Sequence, residues 1–277
     1  MEIALSLFFG ALVGFSLGAL GAGGSILVLP ALIYGLGIDP KQAVVLALAI
    51  VGATSLYGSA IHARQGHVRP TAALLFSITG FGGAFLGAKA SEHVEGEIIL
   101  LGLTGVMLLA GVRMYRSASS TKQDPEPNQG AGWLEKSAPL LLAGVAVGFL
   151  TGFLGVGGGF LIVPALTLVG RLPVKHAIGT SLVVITINCL SGLIAHRFEG
   201  LDAVIIFPFI VGSFAASTVA ARIASKLSAK TLKRSFAAFI LVLGLFMLGD
   251  AALKLGREQP ETPADETETP AEQGETP

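Results

Sequence analysis

Two glycine clusters are the residues of this chain whose type and spacing favour ligand binding. The first, Gly21–Ser25, has the sequence GAGGS, and the second, Gly155–Gly159, has the sequence GVGGG. Glycine lets the chain turn, and the first N–H groups of the helix that follows lack partners within that helix. The helix dipole adds positive charge there, so a small anion is the favoured ligand. The candidate binding residues are the last three of each cluster: Gly23, Gly24, Ser25, Gly157, Gly158 and Gly159.

Four polar residues further along the chain are candidates for lining the same anion path. Thr180 and Ser181 begin an apolar segment, where their hydroxyls would donate to an oxyanion or would instead cap their own helix. Asn188 lies two turns further on, and Thr54 holds the matching position in the first half. Polar groups at membrane depth face the bundle interior, where they line a path or join helices. The stretch of the first half that matches Gly179–Ser181, Val45–Ala47, has no hydroxyl, so the predicted site is asymmetric.

Two pairs of basic residues are candidates for proton coupling and for attracting the anion. His62 and His196 each end a predicted helix, where an imidazole either couples to protons or interacts with the helix dipole. Lys41 and Lys175 lie at loop–helix junctions. They would draw anions to the mouths of the path or extend along the membrane interface.

These residues recur because the chain contains an internal repeat. Residues Gly10–Ser91 match Gly144–Ser225 without a gap, at an offset of 134 positions and with about a quarter of positions identical. Glycines spaced four apart, such as Gly14 and Gly18, predict close helix packing. Close packing is also the alternative role of the two glycine clusters, in place of ligand binding. A repeated apolar chain with broken helices is typical of a transporter.

The composition predicts a protein embedded in the lipid bilayer. Of the 277 residues, 52% are hydrophobic and 13% are charged, whereas soluble domains carry about 25% charged residues. Continuous apolar runs indicate helices that cross about 30 Å of hydrocarbon, rather than the alternating strands of a barrel. Basic and acidic residues balance at 18 each, so no patch predicts nucleic-acid binding. The single cysteine, Cys189, is interpreted as a core residue, and no motif predicts a metal or a cofactor.

Eight apolar segments define the organisation of the chain. The first and fifth are too long for one crossing, and each divides into a helix, a glycine break and a half-helix. The segments are 3–36, 42–62, 71–91, 97–115, 138–170, 176–195, 203–224 and 232–250. We therefore predict an all-α polytopic fold of two inverted repeats, each with a glycine-broken helix pair and three spanning helices. The predicted divisions are a first repeat at 1–115, a polar linker at 116–137, a second repeat at 138–250 and a disordered acidic tail at 251–277.

Loop charges predict the orientation, because basic loops favour the cytoplasmic side. The loop 64–69 and the segment 222–234 are basic, whereas their counterparts in the other repeat, 196–202 and 91–97, carry two and three acidic residues. All basic loops lie inside only if each broken segment returns to the side from which it entered. Both termini then lie outside the cytoplasmic membrane.

The doubled motif resembles the TauE/SafE family of sulfite-exporter-like membrane proteins, also called DUF81. The first repeat departs from the pattern, with Ser25 in place of the third glycine and no Gly-Thr-Ser. The resemblance implies transport of sulfite or organosulfonates. It is carried by GAGGSILVLPAL (21–32), GVGGGFLIVPAL (155–166), AIGTSL (177–182), His62-x-x-x-Gly66 and His196-x-x-x-Gly200.

The leading hypothesis is a secondary transporter that moves a small sulfur oxyanion by alternating access. No ATP-binding motif is present, so a gradient, with proton coupling as one option, would drive transport. The alternative is a passive anion channel. An intramembrane hydrolase that uses Ser25, Ser59 or Ser181 is disfavoured because His62 and His196 are expected near the membrane surfaces rather than beside a serine at membrane depth. The expected partners are the anion and the bilayer, and formation of a homo-oligomer is left open.

Overall fold

The computed structural model describes residues 2–21, 24–91, 96–119, 138–154, 159–195, 197 and 200–257. Throughout these residues the chain forms helices and turns without strands, which confirms the all-α class. The helices are α1 (Glu2–Leu20), α2 (Gly24–Pro30, continued by a π-helical turn, Ala31–Gly35), α3 (Pro40–Arg64), α4 (Pro70–Ser91), α5 (Gly96–Ser119), α6 (Ala138–Leu154), α7 (Gly159–Leu168), α8 (Val174–Ala195), α9 (Ala203–Lys226) and α10 (Ala229–Arg257).

Five of these helices are long and apolar enough to cross a membrane, which confirms a multi-pass membrane protein. They contain the spans Ile3–Leu20, Pro40–Arg64, Pro70–Gly87, Val174–Ile194 and Ala203–Lys226. Helix α10 continues to Arg257, beyond the predicted end of the second repeat. The linker 120–137 and the tail from 258 lie outside the described residues.

Acidic caps set the starts of two spanning helices. The Asp39 carboxylate accepts a hydrogen bond from the Lys41 backbone N–H at 2.9 Å, immediately before Pro40 opens α3. Asp202 accepts from the N–H of Val204 in the same way, at 2.9 Å, and opens α9. These side chains satisfy N–H groups that a helix start leaves unpaired.

Both half-helices turn back along the helix that precedes them. A Cβ atom built on Gly24 would lie 2.6 Å from the Val13 carbonyl oxygen, and one built on Gly35 would lie 2.7 Å from the Phe9 ring. In the second repeat, a Cβ built on Gly170 would lie 3.1 Å from Leu140, near the start of α6. Each pair therefore forms a hairpin that returns toward the side from which it entered.

Helices of the two repeats pair reciprocally. Helix α1 packs on α9 and α6 packs on α4, while α3 packs on α8 and α5 on α10. Small residues permit the first contact, because a Cβ built on Gly18 would lie 2.8 Å from the Ser217 Cα. In the matching pair, a Cβ built on Gly148 would lie 2.6 Å from the Gly80 Cα. The predicted role of spaced glycines in helix packing is confirmed at these positions.

Helices α3 and α8 run antiparallel to each other, although they hold equivalent places in their repeats. Gly52 faces Cys189, and Gly192, further along α8, faces Leu48, earlier in α3. Helices α5 and α10 are also antiparallel, since Gly111 faces Leu241 and Gly244 faces Leu108. An inverted repeat requires these directions, and the inverted relation itself stays a prediction.

The buried apolar side chains form one core to which all ten helices contribute. Its largest buried members include Phe76 and Phe209. Other large apolar side chains, such as Phe81 and Phe207, are exposed on the outer surface, where the bilayer would cover them.

Candidate functional site

The first glycine break is held against the start of α8 by a hydroxyl. Gly21 follows the last residue of α1 with φ +75°, a left-handed conformation that glycine adopts without strain. Ser181 Oγ lies 2.9 Å from the Gly21 carbonyl oxygen and 2.8 Å from the Ile178 carbonyl oxygen, and its hydroxyl donates toward both. Ser181 therefore bonds its own helix, as the capping alternative predicted, and joins it to the break of the other repeat.

The neighbouring residues Gly179 and Thr180 hold the loop 65–69. A Cβ built on Gly179 would lie 2.6 Å from the His67 carbonyl oxygen, so the absence of a side chain lets the loop pack on α8. Thr180 Oγ1 is buried and accepts a hydrogen bond from the Arg69 N–H at 3.1 Å. The Gly-Thr-Ser sequence of the second repeat thus positions both the loop and the break of the first.

Buried hydroxyls lie at membrane depth on α3 and α9. The oxygens of Thr54, Ser55 and Ser217 are buried and have no hydrogen-bond partner among the described residues. Ser217 Oγ lies 3.5 Å from a Cβ built on Gly58, which is one turn beyond Thr54 on α3. Buried polar groups without partners are uncommon and mark places where water or a ligand binds.

Asn188 differs from Thr54 in its surroundings. Its side chain lies on the exposed surface of α8, whereas Thr54 is fully buried. The α3–α8 crossing brings this part of both helices together, since the adjacent Cys189 contacts Gly52. The predicted lining role of both residues stays a prediction.

The cluster glycines are described in part. Gly24 and Gly159, the first residues of α2 and α7, are both buried. Helices α2 and α7 contact each other. Gly23, Gly157 and Gly158 lie outside the described residues, as does the side chain of Ser25.

Three histidines meet at the loop 65–69. His62 is buried, and its Nε2 lies 3.3 Å from the Gly18 carbonyl oxygen. The ring centroids of His62 and His67 are 6.2 Å apart, and those of His67 and His176 are 5.5 Å apart. We call His62, His67 and His176 the histidine cluster. His196 lies outside the described residues.

Sequence reasoning identified His62 but missed His67 and His176. The positions that match them in the other repeat hold Leu201 and Gln42. Both histidines would have been found by searching for positions at which the two repeats differ, rather than for residues that the repeats share.

Positive charge surrounds the histidine cluster. His67 lies in the loop, where burial lowers its pKa below the ordinary value and the charge of Lys175 lowers that pKa further. The Lys175 ammonium donates to the Ser225 carbonyl oxygen at 2.7 Å, which holds it between α8 and the end of α9. Lys41, in contrast, is exposed at the start of α3.

Comparison with known proteins gives a family and named relatives. The family model "Sulfite exporter TauE/SafE" matches residues 6–247. A "Probable membrane transporter protein" of Xylella fastidiosa (strain 9a5c) is 33% identical over 243 residues, which cover 86% of this chain and 92% of that protein. "Probable membrane transporter protein YdhB" of Bacillus subtilis (strain 168) is 27% identical over 238 residues, with coverage of 86% and 96%. No solved structure matches this chain.

Proposed function

The chain belongs to the sulfite exporter TauE/SafE family, and from this premise we propose that it is a secondary transporter for a small sulfur oxyanion or organosulfonate. Membrane transport follows from the family and from the names of the relatives. The substrate class, the carrier mechanism and the cytoplasmic membrane as its location are the steps that this proposal adds.

The observation that carries the proposal is the pair of re-entrant half-helices. Each begins at a buried glycine inside the bundle, Gly24 or Gly159, and α2 contacts α7. The start of a helix presents N–H groups that have no partner of their own, and a glycine allows an anion to reach them. Two such starts within one bundle would bind an anion without a buried cation.

The buried hydroxyls of α3 and α9 would add a polar path to this site. Thr54, Ser55 and Ser217 are buried and lack partners among the described residues, so each is free to bind an anion or its water. Asn188 is exposed on α8 in this structure. It would line the path in another conformation of the transporter, in which that surface of α8 faces the substrate.

The antiparallel pairing of equivalent helices supports inverted repeats and alternating access. In such a transporter one repeat rocks against the other, and the two faces exchange roles. The α3–α8 and α5–α10 contacts would lie at the axis about which the two repeats rock, because each contact joins a helix to its counterpart in the other repeat.

We place the loop 65–69 in the cytoplasm and both termini outside. Arg64 ends α3, Arg69 lies in this loop, Lys175 lies in the first turn of α8 and Lys226 ends α9. Basic residues favour the cytoplasmic side. The contact between Lys175 and the end of α9 supports a shared face for these charges.

Uptake by proteoliposomes tests this function. Purified protein should take up sulfite or a short sulfonate with a saturating rate, and a proton or ion gradient should drive accumulation against the substrate gradient. Gly158→Val should abolish uptake without preventing membrane insertion. Gly105→Val is the control, because a Cβ at Gly105 meets nothing within 4 Å. Uptake without saturation or uphill accumulation would indicate a channel, and normal uptake by Gly158→Val would reject the glycine site.

A further inference from the structure

The histidine cluster is assembled from three segments that are fixed relative to one another. His62 lies in the last turn of α3, His67 lies in the loop, and His176 lies in the first turn of α8. The His67 N–H donates to the His62 carbonyl oxygen at 2.9 Å, and Gly179 lets this loop approach α8. Thr180 binds the Arg69 N–H on the other side of His67. The imidazoles therefore lie close together through backbone contacts rather than through bonds between the rings.

Each imidazole has a buried nitrogen that receives no hydrogen bond from the part of the chain that the structure describes. The Nδ1 atoms of His62, His67 and His176 have no hydrogen-bond partner among the described residues. Three such nitrogens in one place indicate a ligand, because buried polar atoms are otherwise almost always paired. A neutral imidazole donates one hydrogen bond, and a protonated one donates two.

The surrounding charges select an anion. Helices α3, α4, α8 and α9 contain no aspartate or glutamate, and Glu2, the acid of α1, lies at the far end of that helix. The cations that act on the cluster are Lys175, beside His67, and Arg69, beside His176. The further charged residues at the ends of α3 and α9, Arg64, Arg222 and Lys226, are also basic. No group of three His, Cys, Asp or Glu side chains in the described part of the chain has the arrangement of a metal site.

We propose that the histidine cluster is a proton-dependent docking site for a small sulfur oxyanion, which rests on the transport function proposed above. Protonation turns the unpaired nitrogens into donors and adds charge, so the cluster holds an oxyanion tightly only when it is protonated. A bound anion in turn favours the protonated imidazoles. Proton and anion therefore strengthen each other's binding by the same factor.

This response acts at one face of the bundle. At the equivalent corner of the other repeat, the Gln42 amide donates to the Gly200 carbonyl oxygen at 3.4 Å. That corner has Gln42 and Leu201 where the cluster has His176 and His67. Neither of these side chains titrates, and His196 is the match of His62, so the two titrating groups that only the cluster has, His67 and His176, belong to the side of the loop 65–69.

Binding of methanesulfonate to the purified full-length protein tests the proposal. The probe keeps its charge across the pH range, and chloride at equal ionic strength is the reference. Thermal stabilisation should give an affinity about tenfold tighter near pH 5.5 than near pH 8, a range on either side of the ordinary histidine pKa. His67→Gln and His176→Gln should each reduce this pH dependence by weakening the binding near pH 5.5, and the double variant should reduce it further, to the contribution of His62. Gln42→Asn, at the equivalent corner, should keep the pH dependence.

The outcomes separate docking from transport. An affinity that does not change with pH, or a pH dependence that is undiminished in both histidine variants, would overturn the docking site even if uptake is normal. Loss of folding in one variant would appear as a lower Tm in chloride at pH 8, and the other variant then decides. Docking in a protein that transports no sulfur anion would instead reject the proposed function.

Discussion

The Ser181 hydroxyl lies 2.9 Å from the carbonyl oxygen of Gly21, a residue 160 positions earlier in the chain. The contact joins the start of α8 in the second repeat to the glycine break in the first. Because Ser181 also reaches the Ile178 carbonyl oxygen, the break is tied to the backbone of α8 itself. Movement of either element would therefore be transmitted to the other.

Ser181→Ala should destabilise the protein by about 1–2 kcal/mol and slow uptake. The substitution leaves the buried Gly21 carbonyl oxygen without its donor, and a buried unpaired group costs about that much. Ser191→Ala is a matched control, since the Ser191 hydroxyl donates only to the Ile187 carbonyl oxygen of its own helix. Thermal unfolding in detergent and uptake by proteoliposomes measure both effects. Equal behaviour of the two variants would show that Ser181 does not hold the break.

Gly179→Ala should destabilise the protein by about 1–3 kcal/mol and displace the loop 65–69. The added Cβ would lie 2.6 Å from the His67 carbonyl oxygen and 3.1 Å from the His62 Cβ, and such crowding forces backbone shifts. Gly102→Ala on α5 meets nothing within 4 Å and should gain up to about 1 kcal/mol from better helix propensity. Unfolding curves of both variants are the measurement, and a neutral Gly179→Ala would contradict the close loop contact.

The stability of the protein in chloride should fall as the pH drops below about 6.5. The pKa of His67 is lowered in the folded state, chiefly by burial, so the unfolded chain binds more protons in the window between that lowered pKa and the ordinary value. The stabilising contribution is complete above the ordinary pKa and is lost as the pH falls through the folded one. His67→Gln should flatten this pH dependence of the unfolding free energy. An unchanged slope would mean that other groups produce it.

Gly52→Cys should form a disulfide with the native Cys189 under mild oxidation. A Cβ built on Gly52 would lie 3.1 Å from the Cys189 Cβ, a few tenths of an ångström shorter than disulfide geometry prefers. The sequence contains one cysteine, so counting free thiols by alkylation and mass spectrometry is unambiguous.

Gly105→Cys supplies the comparison for this cross-link, because its site on α5 has no neighbour within 4 Å. Two free thiols after oxidation of Gly105→Cys and none after oxidation of Gly52→Cys would support the α3–α8 pairing. Two free thiols in both variants would argue against that pairing.

Much of the architecture follows from the sequence alone. The length of the apolar segments predicted the helices, and Gly21–Ser25 and Gly155–Gly159 predicted that two of them are interrupted, since glycine weakens a helix wherever it occurs. The offset between Gly10 and Gly144 predicted the repeat, and the relatives placed the chain in the family that the motif resembles. Hydropathy and glycine spacing are local properties, which is why they can be recognised without coordinates.

Only the tertiary structure decided which residues meet. The Ser181–Gly21 and Thr180–Arg69 contacts and the approach of His176 to His67 join segments more than 100 residues apart. A hydrogen bond or an imidazole contact of this kind leaves no periodic pattern in the sequence, because it depends on how α3, α8 and the broken helix pack. The return of each half-helix along its predecessor is decided in the same way, by the fit of Gly24 against Val13 in the first repeat and of Gly170 against Leu140 in the second.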